Sequence, residues 1–269
     1  MKRLVTGIIG SAVALFAIFG LPEPAFYLFC LLLFLVAAGE FHRIGQFWAP
    51  ELPRWPLLGA IGLLSFAFCW PELAIPPALG SLGQGLALGA ALVLFCSLAV
   101  LFGRGPVAES LSSMSMLAFG ALYFAVPLAA AVALRRQSPW VLLLAAAIIW
   151  IGDAVALYAG RAFGRKKFAP VISPNKTWVG AVASLLSALA VTAAWGWWRL
   201  GSVEVNLLLV GVLTSCAGQA GDLVESMLKR GAGVKDSGNI LPGHGGLYDR
   251  LDALLLGAPV MWLGQQLIQ

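Results

Sequence analysis

Residues 139–160 read PWVLLLAAAIIWIGDAVALYAG, and in those 22 positions Asp153 is the one charged side chain. A helix needs roughly 20 apolar residues to cross the hydrocarbon core of a bilayer. This stretch is long enough and apolar on every face, so it predicts a membrane-spanning helix rather than one flank of a soluble core. The chain around it has the same character. It is 60% hydrophobic and 11% charged over 269 residues, with a mean hydropathy of +0.90. Soluble domains carry about 25% charged residues. So few charges cannot cover a surface in water, and the surface must face lipid. Eight further apolar segments stand at about 4–21, 25–39, 55–71, 84–102, 114–134, 178–198, 203–221 and 251–268. The sequence therefore predicts an all-α, polytopic integral membrane protein of about nine transmembrane helices. Met1-Lys2-Arg3 before the first segment resembles a secretion signal, but no small-residue cleavage site follows, so a retained helix is expected.

Basic residues orient the spans. With nine spans and a cytoplasmic N-terminus, 14 of the 17 Lys and Arg residues fall on the cytoplasmic side, leaving Arg135, Arg136 and Arg199 outside. That is the excess the positive-inside rule requires. The net charge of +5 is thus explained by topology, and no nucleic-acid partner is expected. Cys30, Cys69, Cys96 and Cys216 each sit in an apolar stretch without a CxxC pair. They read as small buried hydrophobes, not as a disulfide frame or a zinc site. The tryptophans gather near span ends, as interfacial anchors do. His42 reads as a loop residue, and Glu40 and Glu109 have no sequence neighbours that suggest a site.

Two segments break the apolar pattern, and this topology puts both in the cytoplasm. The later, 222–252, holds Asp222, Glu225, Ser226, Lys229, Arg230, Lys235, Asp236, the run Pro242-Gly243-His244-Gly245-Gly246, then Asp249, Arg250 and Asp252. Ionisable groups pressed against membrane spans are costly and read first as functional. Carboxylates without thiolate or imidazole partners suit hard, oxygen-loving cations, Mg²⁺ before zinc. Asp222 at the end of one span and Asp249 and Asp252 at the start of the next can converge on one ion. Lys229, Arg230, Lys235 and Arg250 can neutralise phosphates. Gly243, Gly245 and Gly246 let backbone N–H groups approach an anion closely, with His244 contacting phosphate. The P-loop spacing is absent. The earlier segment, 160–178, carries Arg165-Lys166-Lys167, read as an anchor on anionic lipid, and Ser173-Pro174-Asn175-Lys176-Thr177 before a span. Ser173, Lys176 and Thr177 would line an anion site at a helix N-terminus. Asp153 is open between a structural ion pair and a role in the site. Residues 1–135 read as scaffold, dimer-forming or lipid-facing helices, and 136–269 as the catalytic region.

The pattern Ser226-x2-Lys229-Arg230-x4-Lys235-Asp236, followed by Pro242-Gly243-His244-Gly245-Gly246-x2-Asp249-Arg250-x-Asp252, resembles the signature of the phosphatidate cytidylyltransferases, also called CDP-diacylglycerol synthases. Ser-Pro-x-Lys-Thr-Trp and the helix bearing Asp153 are similar to that family's second region. The resemblance implies a homodimeric, all-helical protein of the bacterial inner membrane that joins CTP to phosphatidate. It implies Mg²⁺ with a monovalent cation such as K⁺, the metal held by residues at the positions of Asp222 and Asp249. Asp236 and Asp252 would assist the metal, and Ser226 would touch substrate. The family usually has Glu after Lys-Thr-Trp, where this chain has Val179, and many members have Ser where it has Ala253. Other readings are a divergent paralogue with another lipid phosphate as acceptor, a CTP-using kinase of a membrane alcohol such as phytol or dolichol, a transporter with an aspartate relay, and an intramembrane aspartyl protease. The transporter leaves the Pro-Gly-His-Gly-Gly run unexplained, and the protease wants Gly-x-Gly-Asp where this chain has Gln219-Ala220-Gly221-Asp222.

Overall fold

The structure, a computed structural model, describes residues 2–74, 80–103, 105–240 and 245–268, with side chains at 2–6, 72, 74 and 80–83 left out. The helices are α1 (Lys2–Gly20), α2 (Glu23–Gly45), α3 (Arg54–Cys69), α4 (Pro71–Ala74), α5 (Gly80–Leu101), α6 (Ser110–Gln137), α7 (Pro139–Phe163), α8 (Trp178–Leu200), α9 (Val205–Gly231) and α10 (Tyr248–Ile268). Each predicted apolar segment falls on one of them. Among the described residues, seven helices are long and apolar enough to cross a membrane. The apolar parts of the other two, Gly7–Gly20 and Arg54–Cys69, are shorter. At 1.5 Å per residue the 16 residues of α3 reach about 24 Å, less than a hydrocarbon core of about 30 Å. The protein is an all-α polytopic membrane protein.

A departure from pure helix follows α7. Strands β1 (Lys167–Ala169) and β2 (Ser173–Thr177) pair antiparallel, with Lys167 opposite Thr177 and Ala169 opposite Ser173. Backbone leaving a helix beside the bilayer must still pair its N–H and C=O groups, and a hairpin does so within a few residues. Phe168 packs edge-on against Trp178 at 4.7 Å, which fixes the hairpin to the start of α8. Thr177 caps that helix, accepting from the Gly180 N–H at 3.1 Å, and the Trp178 N–H is taken by the Lys166 carbonyl. Two of the N–H groups at this helix start are thus taken by protein acceptors.

The second difference is the length of α9. The charged run was expected to begin a loop at 222, but the helix continues to Gly231. Gly218, Gly221, Glu225, Leu228 and Lys229 are its buried residues there, spaced so that they share one face. Asp222, Ser226, Lys229 and Arg230 are therefore helical, and Asp222 lies inside the helix rather than at its end. α9 packs most extensively on α10, and α7 on α8. A Cβ at Gly221 would collide with the Asp252 carbonyl, so glycine sets the closeness of α9 and α10. His42 proves to be a buried residue of α2, its Nε2 2.8 Å from the Leu52 carbonyl. Cys30, Cys69 and Cys96 are buried as expected, but Cys216 is exposed on α9.

Both ends of the bundle carry charge. At one, Arg135 donates to the carbonyls of Ile18 and Leu21, and Arg136 pairs with Glu23 at 2.7 Å. Arg199 there lies over the rings of Trp140 and Trp198. The other end holds the clustered acids of α9 and α10.

Candidate active site

The i, i+3 and i, i+4 spacings on α9 bring Asp222, Glu225, Ser226 and Lys229 onto neighbouring turns. α10 starts with Asp249 and Asp252, again i, i+3. Gly221 lets the two helices close, and one carboxylate oxygen from each of Asp222, Glu225 and Asp252 lies within 4.8 Å of the others. Three like charges at that separation repel by about 3 kcal/mol per pair at an effective dielectric of about 20. Something positive must offset this. Lys176 of β2 reaches Asp222 at 2.6 Å, and Lys229 bridges Glu225 at 2.7 Å and Asp249 at 2.6 Å. These two lysines are thus shared among Asp222, Glu225 and Asp249. Glu225 is 1% exposed, and its Oε1 has no hydrogen-bonding partner among the described residues. An unsatisfied buried carboxylate oxygen is expensive. All-oxygen donors, close spacing and an unused lone pair fit a hard divalent cation.

Asp249 is held differently. Besides Lys229 it accepts from the Ser237 N–H at 3.0 Å and the Gly246 N–H at 2.8 Å. The glycine run does present an amide to an anion, but that anion is the protein's own carboxylate. Gly245, at φ 82, makes the turn that aims it. Asp222 is thus common to the resemblance and the geometry, while Asp249 sits one lysine away from the three clustered oxygens.

A cavity of about 600 Å³ opens beside these groups, within the range of small-molecule sites, roughly 300–1,000 Å³. Asp153, Asp222, Asp249 and Asp252 line it, as do Arg161, Lys167, Lys176 and Arg250. Four acids and four bases around one cavity suit a metal-bound polyphosphate. Asp222 and Asp249 open on this same cavity, and Thr177 is also in its wall. Ser226 donates to Asp222 at 3.2 Å, just behind the wall. Ser173, Arg230, Lys235 and Asp236 do not line it. Arg230 is exposed and donates to the Val234 carbonyl, and Lys235 and Asp236 are exposed. Gly243 and His244 lie outside the described residues. A second cavity of about 380 Å³, lined by His42, Arg54 and Glu109, lies against α2, α3, α5 and α6 and shares no residue with the first.

Sequence reasoning missed three groups. Glu225 carried a signal, three residues after Asp222 and four before Lys229. Lys167 was absorbed into lipid anchoring and Arg161 was given no role in the site, yet both line the cavity. Glu40 was set aside, yet it is 1% exposed. Its Oε2 accepts from Ser237 Oγ and from the Tyr248 N–H, both at 2.8 Å. Asp153 is among the residues that line the cavity.

Comparison with known proteins agrees with the geometry. The Cytidylyltransferase family model matches residues 1–268. A phosphatidate cytidylyltransferase of Rickettsia felis is 35% identical over 182 residues, 63% of this chain and 80% of that protein. One from Staphylococcus haemolyticus is 39% identical over 165 residues, 60% of this chain and 59% of its own length. One from Brucella abortus is 43% identical over 125 residues, 44% of this chain and 43% of its own. The match thus spans less than two thirds of the Staphylococcus and Brucella proteins. With a model matched along almost its whole length and helices, cavity and clustered acids in keeping, the chain belongs to the Cytidylyltransferase family.

Proposed function

We propose that this protein transfers CMP from CTP to phosphatidate, releasing pyrophosphate and leaving CDP-diacylglycerol in the bilayer. The observation that carries this reading is one cavity in which clustered carboxylates and four cationic side chains meet at the ends of membrane helices. The relatives' printed names supply the reaction, and the bundle supplies the setting a lipid acceptor needs.

In the reaction an oxygen of the phosphatidate phosphate forms a bond to the α-phosphorus of CTP while the bond from that phosphorus to pyrophosphate breaks in line. The acceptor is a phosphate monoester whose second pKa is about 6, so it is already mostly ionised near neutrality and needs no dedicated base. The difficulty is repulsion between two polyanions. Lys176, Lys167, Arg161 and Arg250 would hold phosphate oxygens and set the line of attack by charge and position. Asp222, Glu225 and Asp252 would hold Mg²⁺, with K⁺ as the monovalent companion that the resemblance implies. When bound, the divalent ion would screen the developing charge on the transferred phosphoryl group. Lys229 would keep Glu225 and Asp249 apart from each other's charge. Asp153 faces the same space from α7 and is assigned to the site, not to a remote ion pair.

The same reading places the site at the cytoplasmic face of the bacterial inner membrane, where CTP is available, with the N-terminus on that side and the protein a homodimer. Residues 1–135 would serve as scaffold and 136–269 as the catalytic region, although Glu40 of the first part reaches into the second. The test is product identity with purified protein, Mg²⁺ and CTP labelled at either the α- or the γ-phosphate. The α-label is expected in lipid when phosphatidate is the acceptor. The γ-label in lipid would instead make the protein a kinase. Transfer to another lipid phosphate with none to phosphatidate would make it a divergent paralogue.

A further inference from the structure

We infer that Glu40 is a positioning residue for this site, acting from α2 through the segment that joins α9 to α10. It resembles no motif residue and lies 197 positions before Ser237, yet its carboxylate grips both Ser237 and the first residue of α10, Tyr248. The Tyr248 N–H is one of the first-turn donors of α10, which a helix cannot satisfy by itself. Here it is capped by a carboxylate from another helix, at the positive end of the helix dipole. The second donor to the same oxygen, Ser237 Oγ, belongs to the residue whose own N–H holds Asp249. Arg43, one turn further along α2, donates to the Ser237 carbonyl at 3.5 Å.

The contacts form one chain. Glu40 fixes Ser237 and Tyr248, and Ser237 and Gly246 fix Asp249. Asp249 fixes Lys229, and Lys229 fixes Glu225 among the three clustered oxygens. A Cβ at Gly238 or at Gly246 would run into the Glu40 carboxylate, so both glycines leave room for it. A carboxylate buried this deeply would be costly without the donors it has. A fold needing only packing at this point would be served by an apolar side chain. The carboxylate therefore serves to hold Ser237 against the start of α10, and through them the geometry of the acids.

The inference rests on the cation site proposed above, but its test does not depend on the substrate. The full chain, purified in detergent, is compared as wild type, Glu40→Ala and Glu40→Gln. The readouts are Mn²⁺ binding by electron paramagnetic resonance, hydrogen exchange at the Ser237, Gly246 and Tyr248 amides, and the metal dependence of turnover. Glu40→Ala is expected to speed exchange at all three amides and to weaken Mn²⁺ about tenfold, the scale of one lost hydrogen bond to a charged group. It should raise the metal needed for half-maximal turnover in step, with a smaller change in KM for CTP. Glu40→Gln keeps an accepting oxygen and should stay within about threefold of wild type. Ser237→Ala removes one donor and should give the same shift in smaller measure, and it decides the matter if Glu40→Ala does not accumulate. Unchanged exchange and Mn²⁺ affinity, or a lowered melting temperature with neither changed, overturns the inference. If wild type itself binds no Mn²⁺, the cation site fails, and the exchange data alone judge Glu40.

Discussion

The two ends of the helix bundle spend their charges differently. At one end Arg135, Arg136 and Arg199 are each satisfied locally, by carbonyls where a helix stops, by Glu23, or by tryptophan rings. Among the described residues, no ion pair or hydrogen bond links those cations to one another. At the other end Asp222, Glu225, Lys229, Asp249 and Lys176 are joined, and Glu225, Lys229 and Asp249 are largely out of solvent. The first arrangement is what anchoring a membrane protein at its interface requires. The second concentrates linked charge of both signs beside a cavity, where a charged ligand can use it. The difference teaches that charge count alone does not mark a site in a membrane protein. Linkage and burial do.

The contrast breaks most visibly if the linked end tolerates loss of a carboxylate. Asp222→Asn is expected to lower CMP transfer by on the order of 10³-fold, the scale of removing a principal charge-stabilising contact. It should also abolish Mn²⁺ binding, while the protein still inserts and elutes as wild type does. Near-native turnover would remove Asp222 from the site. The companion variant Asp249→Asn sharpens the same point. If it weakens Mn²⁺ as much as Asp222→Asn does, Asp249 joins the ligand set directly instead of acting through Lys229.

Lys229→Met comes next. It leaves Glu225 and Asp249 buried and facing each other without their common cation. Stranding one side of a buried ion pair costs about 3–5 kcal/mol, and the thermal midpoint in detergent should fall accordingly. Added Mg²⁺ should recover part of the loss, because a divalent ion can occupy the vacated charge. A variant as stable as wild type without metal would show that the lysine is dispensable to the network. Gly221→Val should have a smaller effect, about 1–3 kcal/mol, since it forces α9 from the Asp252 carbonyl by overpacking. Its mark is a raised metal requirement with little change in the KM for CTP.

Much of this was legible in the sequence because a bilayer simplifies the rules. Apolar length alone located the helices, and Asp222, Asp249, Asp252, Lys176 and Arg250 stood out as charges where charges are costly. The misses have physical causes. The α9 boundary was placed at Asp222 because charge was taken to end a span, whereas Glu225 and Lys229 neutralise each other one turn apart and let the helix run on. Lys235 and Asp236 have the right composition, but their position on an exposed turn follows from chain path. Glu40 was an ionisable residue in an apolar helix, which is itself a signal. Its partners, Ser237 and Tyr248, come from the far end of the chain, and no local spacing announces them.

The mildest test comes from the opposite end. Glu23 and Arg136 form an ion pair whose side chains are 41% and 32% exposed, so solvent already screens it. Pairs of that kind contribute about 0–1 kcal/mol. Arg136 also keeps the Cys69 carbonyl and the Trp70 ring when its carboxylate partner is removed. Glu23→Gln should therefore shift the melting temperature by no more than a few degrees and leave turnover and Mn²⁺ affinity unchanged, because no contact in the chain from Glu40 to Glu225 passes through it. A tenfold fall in turnover would mean that the two ends are coupled along the helices. The site would then be a property of the whole bundle and not of one end.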